Sequence, residues 1–293
     1  MNNLDKSFAS RVRLYRGALI AMLLAGSVIQ SEAQLISRTV NGGTSTVTFN
    51  PSIGLTGWTL NGVSQLNQEL FYYNLNGGGV TQIINPSSPT TVSTGTHGLN
   101  PYLTADSNLG NLGVIDVNNS YTLSGGSSGN QFILTYTIQI SNNSNNPQNI
   151  SFYQYSDFDL AGVSGGQNVQ LSPLSGGQYQ ADQMGGGASL VDLVQPIGGV
   201  TTEYQADNSG APFGPFLGPP NSTTLGYSST PSSASGNVDF AYEWDDIALP
   251  AGQSFTISEI QTITVPEPSS VALISSGMLA ASLVFRQRRS EKA

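Results

Sequence analysis

The chain has no cysteine, which excludes a disulfide framework, a thiolate metal site and a thiol nucleophile. Its stability must come from core burial and strand pairing. There is one histidine, His97, in Thr96-His97-Gly98, and no Gly-x-Ser-x-Gly elbow accompanies it, so the usual Ser-His-acid hydrolase is not supported. His97 reads as a solvated loop residue. Charged residues make up 9% of the chain, against roughly 25% in an ordinary soluble domain. The polar surface is therefore built largely of Gly, Ser, Thr, Asn and Gln.

Positive charge is nearly missing from the middle of the chain. Between residues 34 and 265 the only basic side chain is Arg38, against 14 Asp and Glu, while residues 1–33 and 266–293 carry four basic residues each. An acidic body with one arginine repels nucleic acid and anionic lipid, so no nucleic-acid partner is expected. A P-loop needs a lysine that the body does not have. Cleavage of acidic polysaccharide usually needs Arg or Lys to neutralise uronate, and Arg38, near the mature terminus, is a poor sole candidate.

The basic residues mark two targeting segments. Lys6, Arg11, Arg13 and Arg16 precede an apolar run over residues 17–29 and then Ser31-Glu32-Ala33, the three-part pattern of a secretory signal peptide spanning 1–33, with signal peptidase cutting after Ala33. At the other end, Pro266-Glu267-Pro268 leads into an apolar stretch over 271–285 and a basic tail of Arg286, Arg288 and Arg289. Fifteen helical residues rise about 22 Å, short of a ~30 Å hydrocarbon core. Such a transmembrane helix is a marginal permanent anchor and suits a segment meant to be cut. The basic cluster holds its end in the cytoplasm and leaves the body across the membrane.

In its last 28 residues the sequence resembles the PEP-CTERM sorting signal, with tripeptide, short membrane helix and arginine cluster in order. The resemblance implies that an exosortase reads Pro266, Glu267 and Pro268 and removes the tail, in a Gram-negative bacterium that makes exopolysaccharide. It implies a membrane-tethered intermediate and a final place at the cell surface or outside the cell.

The body, residues 34–265, reads as all-β: a single large antiparallel β-sandwich. Short alternating runs lie between Gly, Pro and Asn clusters, and no convincing amphipathic helix interrupts them. In residues 130–142, Phe132, Leu134, Tyr136, Ile138 and Ile140 share one face. Val238, Phe240, Tyr242 and Trp244 alternate with Asp239, Ala241, Glu243 and Asp245. Further strands are expected over 44–50, 70–74, 112–117, 150–158, 179–184, 189–194, 201–206 and 254–265, making about ten to twelve in all. In 254–265, Phe255, Ile257, Ile263 and Val265 keep one register that Ile260 breaks, as a bulge near Glu259 would produce. Residues 85–111 and 208–237 are expected to be long loops.

Trp58-Thr59-Leu60-Asn61-Gly62, the 153–160 stretch and Ala241-Tyr242-Glu243-Trp244-Asp245 resemble segments of exported proteins that carry the same sorting signal. No activity comes with that resemblance. Among chemical candidates, Asp157 with Asp159 and Glu243 with Asp245 are the weak metal candidates, calcium being the cation suited to oxygen ligands. The same acids, or Glu203, could supply the carboxylate pair of a glycoside hydrolase. Trp58, Phe71, Tyr72, Tyr73, Tyr153, Tyr155, Tyr242 and Trp244 would make a sugar-stacking platform if exposed, and Tyr153 and Tyr155 share a face opposite Phe152. No catalytic residue and no cofactor is assigned. The expectation is a non-catalytic surface or matrix protein, structural or glycan-interacting and associated with exopolysaccharide and biofilm. The alternative is a secreted glycoside hydrolase.

Overall fold

The computed structural model describes residues 34–40, 43–50, 54–83, 91–97, 100–111, 114–126, 130–195, 201–208 and 232–266. The expected signal peptide, membrane helix and basic tail lie outside them. In chain order the strands are β1 (Gln34–Val40), β2 (Gly43–Asn50), β3 (Gly54–Leu60), β4 (Val63–Leu66), β5 (Gln68–Leu75) and β6 (Val80–Gln82). Next come β7 (Thr91–His97), β8 (Asn100–Asn111), β9 (Ile115–Gly125), β10 (Gln131–Asn142), β11 (Gln148–Asp157) and β12 (Gln167–Pro173). The rest are β13 (Tyr179–Gly185), β14 (Ala188–Val194), β15 (Thr201–Asp207), β16 (Ser232–Gly236), β17 (Asp239–Leu249) and β18 (Ser254–Thr264).

They form two nine-stranded antiparallel sheets. The first runs β1-β2-β3-β5-β11-β17-β15, with β4 paired to β3 and β6 to β5. The second runs β16-β12-β13-β14-β18-β10-β9-β8-β7. Their inner faces share one core, to which Trp58, Phe71, Phe152 and Trp244 come from the first sheet and Phe132, Tyr136, Ile138 and Ile263 from the second. Burying each such side chain contributes about 1.5–3 kcal/mol, so this face is the main source of stability. The all-β sandwich expected from the alternation is the observed fold.

Local chemistry explains the joints. Asn61 and Gly62 have φ of 52° and 80°, the left-handed pair of a tight hairpin between β3 and β4, and the Asn61 side chain accepts a hydrogen bond from the Thr44 amide at 2.8 Å. Asp246 (φ 53°) sits in a bulge of β17, where the pairing with β11 slips between Ile150 and Phe152.

Three expectations need correction. The 85–111 segment contains β7 and β8, paired with each other, and β8 pairs with β9; β16 likewise lies within 208–237. Polar Thr, Ser and Asn residues conceal these strands because backbone ladders hold them in place of an apolar alternation. His97 accordingly ends β7 opposite Asn100 and is not in a loop. β18 has no bulge: its register with β10 is continuous from Gln131↔Thr264 to Ser141↔Ser254.

Candidate functional site

The unbroken register of β18 puts Glu259 and Gln261 on the same inward row as Ile257 and Ile263, fully buried. From the facing sheet, β5 contributes Glu69, and β11 contributes Gln154 and Ser156. β14 adds Asp192 and β10 adds Tyr136, so a belt of acids and amides crosses the apolar core. The amide of Gln261 donates to Glu69 Oε2 at 2.7 Å and to Glu259 Oε1 at 3.1 Å. Gln154 donates to Glu259 Oε1 at 2.8 Å, to Glu69 Oε2 at 3.3 Å and to the Tyr136 hydroxyl. Two amides thus staple two carboxyl groups across the sheets.

Burial raises Glu69, Asp192 and Glu259 above the usual carboxylate range. Glu69 is pushed up to about 8 by burial, then by repulsion from Glu259, against the donated bonds of Gln261, Ser156 and Tyr136. Asp192 is raised well above the usual carboxylate range by burial and by Glu259. The Gln261 amide opposes the rise at Asp192, and one proton turns the contact between Asp192 and Glu259 into a hydrogen bond. Closed to solvent, the belt joins sheets and cannot reach a substrate.

The outer face of the first sheet carries the acids picked out from sequence. Asp157 ends β11 and accepts from the Asn67 amide at 2.8 Å; Asp159 lies two residues on, before a turn of 3-10 helix at Leu160–Gly162. Tyr155 donates to Asp239 at 3.0 Å, and burial pushes Asp239 up to about 7, with Asp157 adding repulsion and the Tyr155 bond opposing it. Glu243 pairs across strands with Tyr153 and Glu203. Asp245 sits at the bulge and accepts from Ser151 at 2.5 Å. Asp157 ends β11 beside Asp239, and Glu243 is four residues from Asp239, roughly 13 Å along β17, so the Asp157–Asp159 and Glu243–Asp245 pairs lie apart. Among the described residues no group of three or more His, Cys, Asp or Glu could hold a metal ion.

The aromatic residues divide between the faces. Trp58, Phe71, Tyr242 and Trp244 are core, with Tyr73 packed against it, while Tyr153 and Tyr155 join Leu70, Ala241 and Tyr72 on the outer side. The shared face of Tyr153 and Tyr155 is as expected, but both are 0% exposed, so their rings do not form an open stacking platform. β17 is buried on both faces from Asp239 to Trp244, not on one.

The third place of interest is where the chain leaves the sandwich. Thr264 is paired on one side with Gln131 and on the other with Ser189. The Val265 amide donates to the Asn130 carbonyl at 3.1 Å, and the Asn130 side-chain amide donates to the Val265 carbonyl at 2.9 Å. Pro266 follows and is exposed beside Gly187. Glu267, Pro268, Arg286, Arg288 and Arg289 lie outside the described residues. Among the described residues no helix is long and apolar enough to cross a membrane.

Residues 264–289 match the family described as the PEP-CTERM protein-sorting motif. The chain thus carries a PEP-CTERM sorting signal, which implies an exported protein that passes through the membrane and exosortase processing of its tail. No curated protein matches its sequence. Among solved structures, it is similar to a bacterial glucoamylase crystallised with acarbose, at 10% identity and a TM-score of 0.46, covering 83% of this chain and 35% of that one. The chain therefore spans about a third of the glucoamylase. It is also similar to a galactose mutarotase-like protein from Clostridium acetobutylicum, at 8% identity and a TM-score of 0.44 over 82% of this chain and 98% of that one. A GalM/aldose epimerase homologue from C. elegans gives 9%, 0.41, 80% and 100% respectively. Likeness at this level says nothing of activity.

Proposed function

We propose that the protein is a non-catalytic component of the bacterial cell surface or extracellular matrix, a β-sandwich displayed among hydrated polysaccharide after its sorting tail is removed. The observation that carries this reading is the position of the sorting motif. It starts at Thr264, the last residue of the last strand, so the whole sandwich is cargo on the exported side. The uncharged polar composition suits weak, repeated contact with neutral glycan and poor contact with polyanions. The buried belt of Glu69, Gln154, Glu259 and Gln261 serves cohesion between the sheets. On this reading residues 34–265 form a domain that folds without either terminal segment.

A screen of the mature protein against neutral glycans tests it. Binding without turnover is the expected result. Turnover that disappears on Glu243→Gln or Asp157→Asn would make the protein a glycoside hydrolase and overturn the reading.

A further inference from the structure

The sorting motif and the folded sheet overlap. Thr264 belongs to the ladder, Val265 is held at both its amide and its carbonyl by Asn130, and Pro266 is the first residue of the tripeptide. No spacer separates the sandwich from the segment that the processing enzyme reads. Four residues, 267–270, lie between Pro266 and the apolar run that starts at Val271. Fully extended they span at most about 14 Å. An enzyme that grips the tripeptide within that span has to touch the end of the sandwich.

That end exposes apolar side chains. Pro266 lies against Gly187, where an added β-carbon would be 3.3 Å from the proline ring. Gly186, with φ of 57°, packs so tightly on the 3-10 turn that a β-carbon there would stand 2.6 Å from Ala161 Cβ and 3.4 Å from Val163. Val63 in turn adjoins Gly162 of the same turn. Val63 and Val163 are 45% and 41% exposed, and Met184 is 64% exposed. Met184 is in register with Ser189 and Ser189 with Thr264, which places Met184 two strand spacings, about 10 Å, from the exit. Val191, in register with Thr262 and 37% exposed, is also near, so four of the five large hydrophobic residues exposed among the described residues lie on elements around the exit, Leu174 being the fifth.

We propose that this exit face, formed by Val63, Val163, Met184 and Pro266 around Gly186 and Gly187, docks the exosortase that cuts the tail. The proposal rests on the processing reading above. Gly186 and Gly187 let the 3-10 turn and Pro266 pack close to this hairpin, and the apolar side chains supply contact next to the tripeptide. Asn130 fixes the direction in which the peptide leaves.

The test follows full-length protein in its own bacterium by pulse-chase, comparing precursor with trimmed product. Val63→Glu, Val163→Glu and Met184→Glu place charge at exposed positions, and each is expected to slow trimming about tenfold, the loss of one good contact. An eight-residue Gly-Ser spacer between Val265 and Pro266, combined with each substitution, is expected to remove that dependence. Trimming of the three variants at the wild-type rate would overturn the docking face, as would equal slowing with the spacer present. Glu267→Ala is the separate control: normal trimming of that variant contradicts the processing reading itself. A block there, with normal trimming of the other three, contradicts only the docking face. Mature protein that floats with phosphatidylethanolamine–phosphatidylglycerol vesicles, and stops doing so on Val163→Glu, would assign the face to lipid and overturn the proposal.

Discussion

On the inner face of the first sheet, Glu69 is surrounded by the amides of Gln154 and Gln261 and by hydroxyls; on the outer face, Asp239 lies under the Tyr155 hydroxyl with Asp157 nearby. Both are buried carboxyls without a cationic partner among the described residues, and both are raised, to about 8 and about 7. The difference lies in what surrounds them. Inside, Trp58, Phe71, Phe152 and Trp244 make a close-packed aromatic floor around the acids. Outside, the apolar set is small: Leu70, Tyr153, Tyr155 and Ala241, with Tyr72 and Val80 against them. The inner face supplies cohesion and the outer face adds local hydrogen bonds, so disturbing the two should have unequal effects.

The largest effect expected is Trp244→Ala, which empties a fully buried site and should lower unfolding free energy by about 3–5 kcal/mol in urea titration. A loss below about 1 kcal/mol would mean that the inner face is not the stabilising one. Next is pH. The folded value of Glu69 lies above its ordinary 4.5, so the folded state keeps a proton that the unfolded chain gives up. Its stabilising share is complete below about 4.5 and is lost as pH rises through about 8; Asp239, raised to about 7, acts in the same direction. Thermal midpoints should therefore fall from pH 5 to pH 9 by an amount equivalent to a few kcal/mol.

Glu69→Gln sharpens the same contrast. It keeps an oxygen for Gln261 while removing the ionisable group, so the decline toward alkaline pH should flatten; Asp239→Asn should flatten it less. An unchanged slope in Glu69→Gln would show that this acid is not the one titrating. The smallest effect expected is Tyr155→Phe, which removes one 3.0 Å hydrogen bond and should cost about 1 kcal/mol, measured by denaturant midpoint.

Much of the sandwich was legible wherever apolar residues alternate. Phe132 to Ile140 face the core as the pattern requires, and β5, β11, β13, β14 and β15 lie close to their expected places. Legibility failed where polar residues take core positions. In β18 the inward row runs through Glu259 and Gln261, so an apolar register alone breaks at the outward Ile260 and implies a bulge that the strand does not have. The buried belt is hidden in the sequence for the same reason: a lone Glu or Gln in a strand reads as solvent-facing until its partners, here 69, 154, 259 and 261, are brought together from three strands. The tail shows the opposite case. Its chemistry is local and contiguous, so tripeptide, apolar run and arginines could be read without any fold.

The central claim is that this sandwich is an export cargo whose tail is cut just beyond β18. Intact mass of the protein recovered from the cell surface or medium tests it most directly. A species that starts near Gln34 and ends close to Pro268 is the predicted result. A fully matured surface pool that still carries Ala293 would contradict it and make the C-terminal segment a permanent anchor.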